Sequence, residues 1–119
     1  MHAHEHRAVA ERIERSMRKC REAHDHELLI EAAMLAGSHW LNARLHEDGV
    51  SSAGDDVMHT YLLTVNQHRR LSVSQPEAMQ ALGAIEDMRP AFVRGDAPGG
   101  PEAARRAIGL LSKIRPTHQ

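Results

Sequence analysis

Residues 26–48 carry apolar side chains at helical spacing on two faces at once, and no other feature constrains the chain so strongly. Ile30, Met34, Gly37, Leu41 and Leu45 form one stripe, while Leu28, Ala32 and Leu35 begin another. A helix that is apolar on two faces must bury itself against several neighbours. It is therefore a central element, and the rest of the chain must supply amphipathic helices to cover it. Ala33, Ala36 and Gly37 are small enough to let a partner approach closely, and Gly49 marks the end of the helix.

The flanking segments answer that requirement. Val9, Ile13, Met17 and Cys20 recur at spacings of four, four and three, which predicts a first helix over 5–23; His6 and His24 extend the same stripe. After a polar loop over 49–55, with Asp55 as an N-cap, a third helix is expected from Asp56 to Leu71. Ser74-Gln-Pro-Glu77 has the form of a capping box and opens a fourth helix that runs to Arg89 before Pro90. A Gly/Pro-rich loop over 95–100 precedes a fifth helix that begins at Pro101 and carries Ala104, Ile108, Leu111 and Ile114 on one face. The tail over 116–119 is expected to fray.

The expected fold class is all-α, an antiparallel up-and-down helical bundle of four to five helices forming one domain over 1–119. Aromatic residues are limited to Trp40, Tyr61 and Phe92, so the core must be aliphatic, which suits helix-on-helix packing. Cys20 is the sole cysteine, and no apolar run resembles a signal peptide or membrane span. These features lead to the expectation of a cytoplasmic protein with no membrane partner. Fifteen basic and sixteen acidic side chains are interspersed, a poor pattern for binding duplex nucleic acid by counterion release. Ten histidines stand out; their protonation would add ten positive charges.

Several of those histidines fall on one line. Leu35, His39, Asn42 and His46 share a face of the second helix, and His59, Leu63, Asn66 and Arg70 share one on the expected third. If the two helices were antiparallel neighbours, one register would pair His46 with His59, Asn42 with Leu63, and His39 with Asn66. His39, Asn42, His46, His59 and Asn66 are accordingly the ligand-binding candidates. His39, His46 and His59, with Asp55 completing the set, form the candidate site for a divalent metal such as zinc. The same group suits a phosphate or acid–base work, and the commonest role of such a line is to fix register. His2, His4 and His6 resemble a metal-binding tract, but a frayed terminus is the expected state there. A phosphate-binding glycine loop, a cysteine pair, His-Glu-x-x-His and a serine nucleophile elbow are all missing from the sequence.

The run Glu31-Ala-Ala-Met-Leu-Ala-Gly-Ser-His-Trp-Leu-Asn-Ala-Arg-Leu-His46, then Gly49, a polar loop and Asp56-Val-Met-His59-Thr-Tyr-Leu-Leu63, resembles the HEPN superfamily of small helical domains. The resemblance spans about residues 5–89. It implies a dimerising bundle associated with nucleotides, RNA or a partner protein. Ribonuclease members use an Arg followed by His after four to six positions. Here the match with five intervening residues is Arg18 to His24, with Lys19 after the Arg and within the first helix, so a non-catalytic interaction module and homodimer is the expectation. Metal binding is the alternative, and a ribonuclease-like enzyme using the same histidines a weaker one.

Overall fold

The computed structural model describes residues 1–116 and is all-α, with no strand among those residues. Its helices are α1 (Ala3–Met17), α2 (His26–Glu47), α3 (Val65–Ser74), α4 (Pro76–Asp87) and α5 (Gly100–Ile114). A 3-10 turn (Thr60–Leu62) precedes α3, and a wide π turn (Pro90–Arg94) follows α4. Residues 117–119, most of the tail expected to fray, lie outside the described residues.

Helix α2 is the hub, but only the Ile30–Leu45 stripe and its neighbours are buried; of the second expected stripe, Leu28 and Leu35 are 64% and 48% exposed. Leu29, Ile30, Trp40, Leu41 and Leu45 are all buried on it, and it packs against α1, α4 and α5. Gly37 sits where α4 and α5 both reach α2. A β-carbon there would lie 3.1 Å from the Cδ1 atoms of both Leu82 and Ile114. Glu14 ties three elements together by accepting from the Trp40 indole N–H (2.7 Å) and the Arg115 guanidinium (2.5 Å). Arg7 and Glu47 form a two-pronged ion pair between α1 and the end of α2.

Helix α1 stops at Met17 rather than 23. The Asp25 carboxylate accepts from the Arg21 N–H (2.8 Å) and the Asp25 N–H donates to the Arg21 carbonyl (2.7 Å), closing a turn that replaces the last expected coil of helix. At its other end α1 reaches back to Ala3, so His6 is ordered and 2% exposed rather than part of a frayed end.

The largest departure from the expected elements is at residues 56–64. Apart from the 3-10 turn at Thr60–Leu62 no helix forms there, because side chains from elsewhere take backbone groups that an α-helix would use. The Asn42 amide accepts from the Val57 N–H and donates to the Val57 carbonyl, both at 2.7 Å. Ser38 Oγ donates to the carbonyls of Val57 and Met58, and the Thr60 N–H goes to Glu86. Helix α3 starts only at Val65, behind a capping box in which Thr64 Oγ1 accepts from the Gln67 N–H and the Gln67 side chain accepts from the Thr64 N–H. Asp55 is therefore not a helix cap. Its carboxylate accepts from Ser52 Oγ at 3.0 Å. The antiparallel register that pairs His46 with His59, Asn42 with Leu63 and His39 with Asn66 does not exist, since residues 56–59 are not helical.

Ser74 likewise is not the cap of α4 but the last residue of α3. Buried Gln75 makes the corner, donating to Asp48 (2.5 Å) and accepting from Arg44 (2.8 Å), and Pro76 opens α4. Gly99, at φ +96°, supplies the left-handed turn before α5.

Replacing Asn42 should expose how much depends on its amide. Asn42→Ala leaves the Val57 N–H buried without a partner and is expected to cost about 2–3 kcal/mol, read from urea denaturation midpoints. Asn66→Ala, at an exposed position on α3, should change the midpoint little.

Candidate metal centre

Three segments deliver the site. His6 lies on the buried face of α1, one turn before the fully buried Ala10. His39 and His46 lie two turns apart on α2, with Asn42 between them on the same face. Because Asn42 grips Val57, the preceding residue, Asp56, is held against that face. One buried amide thus joins the helix that carries two histidines to the segment that carries the carboxylate.

Asp56 Oδ1 sits 2.8 Å from His6 Nε2 and 2.8 Å from His46 Nε2. The ligating atoms of His6, His46 and Asp56 all lie within 4.8 Å of one another. The imidazole rings of His6 and His46 are 5.3 Å apart, tilted by 46°. Both side chains are almost wholly enclosed (3% and 5% exposed), whereas the Asp56 side chain is 32% exposed, so the group meets solvent on the carboxylate side. The Asp56 Oδ2 atom accepts from the Met1 amine at 3.2 Å.

The far nitrogen of each ring is also engaged. His6 Nδ1 lies 2.9 Å from His39 Nδ1, and His46 Nδ1 lies 2.9 Å from Ser51 Oγ and 3.2 Å from the Ser51 carbonyl. Two proton arrangements satisfy this network. In the first, both Nε2 atoms carry hydrogen and donate to Asp56, while His39 Nδ1–H and the Ser51 hydroxyl donate to the Nδ1 atoms. In the second, both hydrogens reside on Nδ1. His6 then donates to His39 and His46 donates to Ser51, and both Nε2 lone pairs face the Asp56 oxygen. The second arrangement requires a cation at the meeting point, and it is the outer-shell pattern that orients histidine ligands at metal sites.

The electrostatics match that geometry. Burial alone would raise the Asp56 carboxyl, but hydrogen bonds from His46, His6 and the N-terminal amine overcome it and hold the group down at about 2. Burial, followed by the neighbouring His6, holds the His39 imidazole below its ordinary 6.5, against the pull of Asp56. His39 is therefore held neutral and can accept a hydrogen bond from His6 Nδ1–H.

The other candidates from sequence sit elsewhere. Asn42 is a structural clamp whose hydrogen bonds go to Ser38 and Val57 and not to a histidine of the group, and Asn66 is exposed on α3. Asp55 faces Ser52, while its neighbour Asp56 takes the place expected for it. His59 is in a second polar cluster: its Nδ1 lies 3.0 Å from buried Glu86, which also accepts from the Thr60 N–H and hydroxyl, and its ring stacks on Tyr61. His6, set aside in the sequence as part of a fraying His2–His4–His6 tract, is a member of the group, as its place on the apolar stripe of α1 signalled.

Comparison with protein-family models, curated proteins and solved structures finds no match. What the site does is therefore argued from its own geometry.

The pKa directions set the acid stability of the metal-free protein. Asp56 titrates lower folded than unfolded, so its contribution is present above pH 3.8 and is lost as pH falls through about 2. His39 also titrates lower folded than unfolded, so its contribution declines as pH falls below 6.5. Asp56→Asn should flatten the steep limb between pH 3.8 and 2, removing about 1–2 kcal/mol of pH-dependent stability after allowance for its partial exposure. Urea titrations over this range check it, and an unchanged limb would count against the assignment.

Proposed function

We propose that this protein is a divalent-metal-binding helical bundle whose ligands are His6 Nε2, His46 Nε2 and Asp56 Oδ1. The observation that carries this reading is the convergence of two imidazole nitrogens on one carboxylate oxygen while both far ring nitrogens have outer-shell partners. His39 is a positioning residue that fixes the tautomer of His6, and Ser51 does the same for His46. Two imidazoles and one carboxylate suit zinc or another borderline ion. Metal–ligand bonds of about 2.0–2.1 Å place neighbouring ligand atoms about 3.3 Å apart, so the 2.8 Å contacts need open by only about half an ångström. Three protein ligands leave a fourth position for water or an exchangeable ligand.

Untagged protein, stripped with chelator and titrated with zinc, should take up one equivalent. His46→Ala should abolish uptake, and Asp56→Asn should weaken it by about 10–100-fold, with circular dichroism confirming that each variant is folded. His59→Ala should bind zinc normally. Absence of uptake by the parent protein, or full uptake by His46→Ala, would sink the proposal.

A second reading is a non-catalytic HEPN-like interaction module that forms homodimers, with nucleotide, RNA or a partner protein as further partners. Its support is the apolar surface left bare around α3: Met58, Tyr61, Leu62, Val65 and Val73 are 61–81% exposed. Sedimentation velocity should then show a dimer at micromolar concentration that Leu62→Glu/Val65→Glu converts to monomer. A monomeric parent protein at that concentration rejects it. None of the helices in the described residues is long and apolar enough to cross a membrane.

A further inference from the structure

Asp56 borders a second feature. Between the 49–57 segment and α3 lies a cleft of about 710 Å³, lined on its polar side by Ser51, Ser52, Asp55, Asp56, Gln67 and Arg70. The cleft therefore opens beside the most solvent-accessible ligand of the proposed metal centre. Arg70 is its one cationic lining residue and forms no ion pair among the described residues. A neighbouring cleft also touches His46, but its arginine, Arg7, is already held by Glu47 at 2.5 and 2.7 Å.

The charge balance of the first cleft depends on the metal. Without an ion, Arg70 shares the cleft lining with Asp55 and Asp56, and the lining is net negative. A divalent cation on Asp56 reverses that sign. The same wall would then carry a cation on Asp56 and, on Arg70, an unpaired guanidinium whose donors match an oxyanion. Gln67 adds a neutral donor, and the Ser51 hydroxyl is free to donate here once its contact with His46 is as acceptor.

We infer that the metal-loaded protein binds a small oxyanion, a phosphate or carboxylate group, in this cleft, with one oxygen on the ion and Arg70 on the others. The inference rests on the metal-binding reading and adds to it the class of ligand and the residue that selects it. Binding is conditional: the cleft repels the anion until the cation is in place. By linkage, the anion strengthens retention of the cation by the same factor.

Cobalt(II) is the probe ion, because a paramagnetic centre broadens the phosphorus resonance of inorganic phosphate bound beside it. Cobalt content is measured on each dialysed sample first. The cobalt-loaded protein should broaden the phosphate line saturably, and the metal-free protein should give no binding by calorimetry. Arg70→Ala should weaken the apparent affinity about tenfold, whereas Arg69→Ala, which borders a different cleft, should leave it unchanged. Cobalt retained without saturable broadening overturns the oxyanion site and leaves the metal site standing. Equal broadening by Arg70→Ala, or phosphate binding by the metal-free protein, also overturns it. Failure to retain cobalt removes the metal reading itself, and this inference with it.

Discussion

Two hydrogen bonds between the Asn42 amide and the backbone of Val57 hold the molecule's least regular segment against its most regular helix. They leave a polar side chain 2% exposed in the centre of α2, which is tolerable because its amide oxygen and nitrogen are both paired. Their consequence is directional. With Val57 fixed, the chain before it turns Asp56 toward the histidines, and the chain after it runs extended past Ser38 to Thr60 and buried Glu86. Removing that clamp would free both polar clusters at once, although neither contains Asn42.

The two clusters solve the burial of charge differently. Glu86 is enclosed, and its oxygens are met by a backbone N–H, a hydroxyl and His59, all of which also brace the 59–60 segment. Asp56 is left partly open, and each of its histidine neighbours has a second contact that works with either tautomer. The first arrangement is closed and structural in character. The second can take up a cation by shifting each histidine hydrogen from Nε2 to Nδ1. That shift replaces the two hydrogen bonds to Asp56 by bonds to the ion and keeps the contacts to His39 and Ser51. It is also the cluster that lies beside a polar cleft.

Much of the helical layout was legible, because α1, α2, α4 and α5 bury faces whose apolar spacing follows the helical repeat. The segment at 56–64 was not, since its backbone donors are claimed by Asn42 and Glu86, residues distant in sequence that no local pattern connects to it. A local clue did exist in Thr64-x-x-Gln67, the capping box that starts α3. Of the metal candidates, His39 and His46 were read from their shared face on α2. Choosing Asp55 over Asp56 followed from treating the segment as helix. Outside a helix the two neighbours find different partners: Asp55 turns to Ser52 and Asp56 reaches His6 and His46. His59 was assigned to the wrong cluster for the same reason.

The positions of His6 and Asp56 have a consequence for how the chain assembles. They are 50 residues apart, and α2 runs between them. No fragment that lacks either end can form the site, and closing so long a loop carries an entropic cost that local helix formation does not meet. The histidine–carboxylate group thus cannot close until the chain has been made past Asp56, whereas the Glu14–Arg115 pair, 101 residues apart, must wait for α5 as well. His6 can meet His39 as soon as α2 is present, but its other ring nitrogen has no carboxylate to meet until Asp56 follows.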